Sequence, residues 1–247
     1  MGKIIIVFFI LAFSGNSLGK EQPSEPQFDK KKTVSASYIV TSDYIWRGYS
    51  QTTNKPAFQG DFNLIITKSP IRGLYANFWF SNVRFLEEEL LPREKAYIEF
   101  DGSIGISNEI NKKGNYDFSF HRYQYPGTEH YSYNEVTGSL QYLFLTSFLA
   151  FTNNVYDTGG KALYYNLGFD FDLSKANFLK LNQVHFKGGI GRHRLPLVAD
   201  FPSYTDYNLE LNKTINSFLL TILWTKSSNH LEPFGGSRVS FSIAINL

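Results

Sequence analysis

The chain has 247 residues and a formal net charge of only +2 at pH 7, so it gives no sign of the basic surface that nucleic-acid binding needs. It contains no cysteine, which excludes disulfide bonds and a lipid-modified cysteine. Aromatic residues make up 17% of the chain and no segment keeps a helical period, which favours an all-β fold.

The amino-terminal segment has the three parts of a secretory signal peptide. Lys3 supplies the positive start, and Ile4 to Phe13 form an apolar run. That run is shorter than the roughly 20 residues that a transmembrane helix requires. Small residues then lead to a cleavage site between Gly19 and Lys20. We therefore expect a signal peptide over residues 1–19, a polar lead-in over 20–32 and a folded domain over 33–247.

About twelve segments of the folded domain alternate between apolar and polar residues, which is the pattern of β-strands with two different faces. Residues 163–173 give the cleanest example, and residues 238–247 end the chain in the same way. Their length suits transmembrane β-strands, which need about 9–11 residues. Two stretches, 74–83 and 148–156, leave the apolar face undecided.

The connections between these segments alternate in length. Short turns are expected at 68–73, 108–114, 145–146, 174–177 and around Asn216, and longer loops at 44–56, 84–93, 125–132, 157–161, 191–204 and 227–236. Short periplasmic turns and longer extracellular loops are typical of outer-membrane barrels, whereas a soluble β-sandwich predicts no such rhythm. The sequence therefore predicts an all-β, transmembrane, antiparallel barrel of about 12 strands with up-and-down topology and both termini in the periplasm.

The polar face of these strands is rich in carboxylates. The residues that we expect to line the pore are Asp43, Arg47, Asp61, Glu99, Asp101, Asp117, Asp170, Asp172, Asp206 and Glu210, and Glu135 shares their face. Fewer bases face the same way: Arg47, Lys95, Lys187 and Arg238. A ring of acids attracts cations, which predicts a water-filled porin with a mild cation preference for small hydrophilic solutes. Alternatively, these acids pair with the inward bases and fill a narrow barrel.

The segment after the first strand carries a recognisable motif. Residues 42–52 read S-D-Y-I-W-R-G-Y-S-Q-T, residues 54–60 read N-K-P-A-F-Q-G, and residues 73–83 read G-L-Y-A-N-F-W-F-S-N-V. These residues resemble the TorF family of exported bacterial porins, although Asn77 and Phe80 stand where that family has small residues. The resemblance implies an envelope protein with a channel role, and it implies no catalytic residue, cofactor or ligand.

Within the motif, Asp43 and Arg47 are four residues apart and share a face if the strand continues. They either form a polar entrance that selects small solutes or an ion pair that fixes the first loop. Tyr44, Trp46 and Tyr49 are expected in the outer aromatic girdle.

The sequence also bears on functions other than a channel. His130-Tyr131-Ser132 has the spacing of a barrel hydrolase pair but lies in an expected loop, and the histidines show no metal-ligand spacing, so no enzyme, metal or cofactor is expected. Arg192-His193-Arg194 is expected in a solvated loop that contacts lipopolysaccharide phosphates. The competing function is a non-conducting barrel whose loops serve adhesion or binding.

The last strand, Arg238 to Leu247, is expected to close the barrel against residues 33–41. Barrels of the outer membrane commonly end on an aromatic residue that the assembly machinery recognises, and Leu247 takes that place here. We therefore expect outer-membrane lipid, lipopolysaccharide and the assembly machinery as partners.

Overall fold

A computed structural model describes residues 34–67, 69–84, 96–128, 131–175, 182–196, 202–230 and 234–247. Twelve strands in these ranges form one closed barrel: β1 (Val34–Thr41), β4 (Ala57–Ile65), β5 (Leu74–Asn82), β6 (Ile98–Asn111), β7 (Gly114–Gln124), β8 (Tyr133–Tyr142), β9 (Leu145–Thr152), β10 (Ala162–Asp172), β11 (Val184–Arg194), β12 (Tyr204–Ile215), β13 (Phe218–Ser227) and β14 (Ser237–Asn246). Two short strands, β2 (Ile45–Trp46) and β3 (Tyr49–Ser50), pair only with each other. Single 3-10 turns lie at Val155–Asp157 and Leu173–Lys175.

Each barrel strand pairs antiparallel with its neighbours along the chain, and β1 pairs with β14 to close the ring. At that seam Ser37 lies opposite Asn246, and the backbone N–H of Leu247 donates to the carbonyl of Ala36 at 2.9 Å. The predicted twelve-stranded antiparallel barrel, closed by its last strand against its first, is therefore confirmed. Closure satisfies the backbone of every strand, as a lipid environment requires.

The two ends of the barrel differ. The connections β4–β5, β6–β7, β8–β9, β10–β11 and β12–β13 lie at one end, which also carries Val34 and Asn246. The connections at the opposite end include the two longest, 42–56 and 83–97, and none of them is as short as the turns 112–113, 143–144 and 216–217. The predicted alternation of lengths fails at β10–β11, because β10 ends at Asp172 and β11 begins only at Val184, so this connection spans 173–183 instead of the expected short turn at 174–177. The β8–β9 turn is at 143–144 rather than 145–146. No helix in the part of the chain that the structure describes is long and apolar enough to cross a membrane.

The wall separates apolar side chains from carboxylates. Outward residues such as Val40, Phe118 and Phe241 are 56%, 61% and 58% exposed, while the polar parity of each strand points into the lumen. Every Asp and Glu in the twelve described wall strands is on the inward parity, and the outward parity carries none. Such a surface suits hydrocarbon outside and water or packed polar groups inside.

The two stretches of undecided parity are resolved by their burial. In β5, Tyr75 and Trp79 face the lumen and Phe78 faces outward. In β9, Phe148 faces inward and Phe151 outward. Both strands present aromatic residues on both faces, so alternation of polarity fails there although alternation of direction holds.

Candidate functional site

The lumen contains a segment of the chain itself. We call residues 42–56, which join β1 to β4, the plug loop. Its residues 43–53 are all buried, because the segment folds into the barrel instead of leaving it. The hairpin of β2 and β3 forms its tip, turning through Arg47 and Gly48, whose φ angles are +47° and +80°. Two positive φ angles are what a type I′ hairpin turn requires.

Arg47 is the main polar anchor of the plug loop. Its two terminal nitrogens donate to the two carboxylate oxygens of Glu135 on β8 at 3.0 and 2.7 Å. Both side chains are 2% exposed, and the guanidinium lies 4.3 Å from the ring centroid of Trp46 and 4.4 Å from that of Tyr164. Burial disfavours the charge on Arg47, but Glu135 together with Tyr133 and Tyr123 outweighs this cost and holds the pKa of Arg47 well above its ordinary value.

A second carboxylate holds the neck of the hairpin. The hydroxyl of Tyr44 donates to Glu99 on β6 at 3.0 Å, and Tyr125 donates to the other oxygen of Glu99 at 2.7 Å. The ring of Tyr44 packs 5.3 Å from the inward ring of Trp79. At the tip, a Cβ on Gly48 would meet Cβ of Asp206 at 2.7 Å, so only glycine fits between the hairpin and β12.

Asp43 organises the base of the plug loop. One of its oxygens accepts hydrogen bonds from the hydroxyls of Ser50 at 2.5 Å and Thr52 at 2.9 Å. Burial raises the pKa of the Asp43 carboxyl, while these two hydroxyls and the nearby charge of Arg238 lower it by less. Asp43 therefore closes the loop onto itself.

Two expectations about the motif are wrong. Asp43 and Arg47 do not pair, because the chain leaves the strand after Thr41 and the hairpin carries Arg47 across the lumen to Glu135. Tyr44, Trp46 and Tyr49 do not lie in the outer girdle: all three are buried inside the barrel.

The other candidate residues divide between two levels of the lumen. Glu99, Asp101 and Asp206 lie near the long-loop end, where the plug loop packs, and are buried. Asp61 is buried further down and accepts from Asn63 and Asn77. Partly exposed carboxylates line the half nearer the short turns: Asp117, Asp170, Asp172 and Glu210.

Lys187 lies among the lower carboxylates. Its ammonium is 3.9 Å from Asp170 and 3.7 Å from Glu210 on the adjacent strands. Asp170 also contacts Nδ1 of His185 at 2.8 Å. A cavity of about 750 Å³, partly lined by Asp170 and Asp172, opens at this end of the barrel.

Some inward amides between these levels lack hydrogen-bond partners among the described residues. Both side-chain atoms of Gln59 and of Asn208 are buried in this way, as is Oδ1 of Asn166. A buried amide without a partner costs about 1–3 kcal/mol, so such groups are normally satisfied by water. The middle of the lumen is therefore polar, and its side chains do not satisfy all of one another's hydrogen-bonding groups.

Several residues that hold the plug loop are absent from the predicted site: Glu135 as its counter-ion, and Tyr123, Tyr164, His193 and Tyr204 as its aromatic surroundings. One signal for them exists in the sequence, since each has inward parity near the long-loop end of its strand. Lys95 and His130 lie outside the described residues, as do residues 1–33 with the expected cleavage site at Gly19 and Lys20.

Comparison with known families identifies the family of the chain. A family described as "Bacterial protein of unknown function (Gcw_chp)" matches residues 25–244. The chain belongs to the Gcw_chp family. No curated protein matches the sequence of this Gcw_chp member.

Solved structures share its fold. The "KdgM porin" aligns with a TM-score of 0.50 and 8% identity over 86% of this chain and 97% of that chain. A structure from "Unveiling the Mechanism Behind the in-meso Crystallization of Membrane Proteins" aligns with a TM-score of 0.51 and 9% identity over 87% and 83%. A "KdgM porin in complex with disordered oligogalacturonate" has a TM-score of 0.48 and 7% identity over 86% and 96%, too low a likeness for any argument about ligands. This member of the Gcw_chp family therefore has the closed antiparallel barrel fold of outer-membrane porins.

Proposed function

We propose that this barrel is a diffusion channel for small hydrophilic solutes, with a mild preference for cations and with its width set by the plug loop. The observation that carries the proposal is the one-sided placement of negative charge: all carboxylates of the described wall strands are on the inward parity. An apolar outer face is enough for contact with lipid, so the inward carboxylates serve a polar interior.

Two of the inward bases lie beside carboxylates. Arg47 is paired by Glu135, and Lys187 lies between Asp170 and Glu210. Asp117 and Asp172 add further negative charge on the partly exposed half of the lumen. Negative potential in a low-dielectric wall attracts cations and repels anions. Resemblance of the plug-loop motif to the TorF porin family supports the same proposal.

The proposal is tested by single-channel recording in planar bilayers. Discrete current steps are expected, and in a gradient of potassium chloride the reversal potential should indicate cation preference. The double variant Asp117→Asn, Asp172→Asn should reduce that preference, while Asp157→Asn, in the β9–β10 connection, should leave it unchanged. A clear anion preference would contradict the proposal.

Burial of the plug loop favours one competing function. Arg47 is 2% exposed, so the lumen is filled at its level. A barrel that never opens would act through its outer loops, in adhesion or binding. Silence of a correctly folded preparation in planar bilayers, together with silence of a variant lacking residues 44–51, would favour this second function.

A further inference from the structure

One group of charges is not explained by the channel. At the long-loop end, Arg192 and Arg194 of β11 and Lys226 of β13 have the outward parity, away from the lumen. The expectation that residues 192–194 form a solvated loop is wrong, because β11 continues through Arg194. Long loops mark the extracellular side of such barrels, so these cations face the outer leaflet.

The strand register brings the three cations into one patch. Arg192 lies opposite Thr205 of β12, and Tyr207, the next outward residue of β12, lies opposite Lys226. Lys226 is thus two strands away from Arg192 and lies two residues nearer the middle of the barrel wall. This gives a Cα separation of about 12 Å. Both side chains are long enough to reach a common headgroup above Tyr207.

Neighbouring groups orient the arginines. Nη1 of Arg192 donates to Oγ1 of Thr205 at 3.2 Å, and the guanidinium of Arg194 lies 5.8 Å from the ring centroid of Tyr165 on β10. The outward parity of β10, β11, β12 and β13 carries no carboxylate in the described residues. The patch therefore has a positive field on its own face of the wall.

The surface below the cations is made for lipid. Tyr165 and Tyr207 stand at the level of the cations, and Ile190 and Leu209 follow toward the barrel middle. Nε1 of Trp224 donates to Ser237 at 3.1 Å, so its ring is also fixed at this level. Aromatic residues mark the headgroup boundary, which places the cations beside phosphates and the aliphatic residues beside acyl chains.

We propose that Arg192, Arg194 and Lys226 bind the phosphorylated sugar headgroup of lipid A, the membrane anchor of lipopolysaccharide, with its acyl chains on β11 and β12. Charge complementarity and the register of aromatic and apolar residues below the cations carry the proposal. Arginine binds phosphate through two parallel hydrogen bonds, and Thr205 adds a hydroxyl to the same surface.

The test uses the full-length barrel, purified in detergent and titrated with lipid A while thermal unfolding is followed. Lipid A should raise the unfolding midpoint of the wild-type barrel, as any ligand of the folded state does. The triple variant Arg192→Gln, Arg194→Gln, Lys226→Gln should bind at least about tenfold more weakly. Arg122→Gln, an outward arginine on β7 four strands away from β11, is the matched control and should bind like the wild type.

Three further arms separate the alternatives. Lipid A without phosphates should bind about as weakly as the triple variant binds intact lipid A, and inorganic phosphate at the same concentration should not shift the midpoint. The double variant Arg192→Lys, Arg194→Lys, which retains Lys226, should keep part of the affinity. Equal binding of dephosphorylated lipid A, or equal loss in Arg122→Gln, would overturn the proposal. If the Gln triple variant does not fold, judged by heat-modifiable migration on gels, the Lys variant and the dephosphorylated lipid decide.

Discussion

Neutralising Glu135 should release the plug loop from the lumen. In Glu135→Gln the two charge-assisted hydrogen bonds from Arg47, at 3.0 and 2.7 Å, lose their negative partner, while the shape of residue 135 is retained. Leaving one member of a buried ion pair without its counter-ion costs about 3–5 kcal/mol. Hydration of the lumen reduces this cost, so we use about 3 kcal/mol, which corresponds to a shift of more than a hundredfold between the inserted and the displaced loop.

Trypsin provides the readout, because Arg47 is itself a cleavage site and remains in this variant. When opening is fast relative to cleavage, proteolysis follows the population of the open form, so cleavage after Arg47 should become about a hundredfold faster. Mass spectrometry of the Arg47–Gly48 bond separates this event from cleavage in other loops. Bilayer conductance should rise in parallel if the displaced loop opens the lumen.

Glu210→Gln is the matched control, since it makes the same change in the same lumen but touches Lys187 and not the plug loop. It should leave cleavage after Arg47 unchanged. Arg47→Lys, which keeps the charge but loses the two parallel hydrogen bonds to Glu135, should increase conductance by less than Glu135→Gln. Unchanged cleavage after Arg47 in Glu135→Gln would refute the idea that this ion pair holds the loop.

Three other changes test separate parts of the structure. Burial holds the pKa of the Asp43 carboxyl above its ordinary value of 3.8, so the stabilisation that Asp43 contributes is complete below pH 3.8 and is lost as the pH rises through the raised pKa. The urea unfolding midpoint of the wild-type barrel should therefore fall over this pH range. The midpoint of Asp43→Asn should lack this fall, because the variant has no carboxyl at position 43 to titrate. Gly191→Ala should destabilise the barrel by about 1–3 kcal/mol, because the new Cβ would overlap the hydroxyl of Tyr164, whereas Gly102→Ala meets no atom within 4 Å and should be neutral in the same unfolding experiment. Deleting Leu247 should lower the heat-modifiable fraction in outer membranes, and normal assembly would exclude a role for this residue as an address.

The wall of the barrel could be predicted from sequence because lipid imposes one simple rule on it. In β14, Val239, Phe241 and Ile243 must face outward, and the residues between them are small and polar. Outside β5 and β9, each strand repeats this choice independently, so a local pattern is enough to count the strands and to separate most lipid-facing from lumen-facing positions. Connection lengths then order the two ends without any information from distant contacts.

The path of the plug loop could not be predicted in the same way. Ile45-Trp46 and Tyr49-Ser50 form a hairpin around Arg47-Gly48, but an arginine at positive φ is unusual for a type I′ turn, which favours Asn-Gly. The conformation is held by Glu135, which is 88 residues away in the sequence. Such a contact depends on the closed barrel bringing β8 opposite β1, and no local period reports it.

The two strands whose parity the sequence leaves undecided, β5 and β9, carry inward aromatic residues because they pack against the plug loop. Trp79 of β5 packs against Tyr44, and Phe148 of β9 lies 6.0 Å from the guanidinium of Arg47. A wall that faces water on its inner side needs polar residues there, but a wall that faces a packed hairpin needs aromatic ones. Loss of alternation in an otherwise regular barrel strand therefore indicates where the lumen is filled by protein.

Carboxylates that share the inward parity in the sequence have different roles in the structure. Glu99 and Glu135 have the inward parity of Asp117 and Asp172, yet their oxygens accept hydrogen bonds from Tyr44 and from Arg47. The charge of Glu135 is paired with that of Arg47, so it contributes little to the field felt by a passing ion. Ion preference should therefore depend mainly on the lower, partly exposed carboxylates, and neutralising Glu135 should change the rate of opening more than the reversal potential.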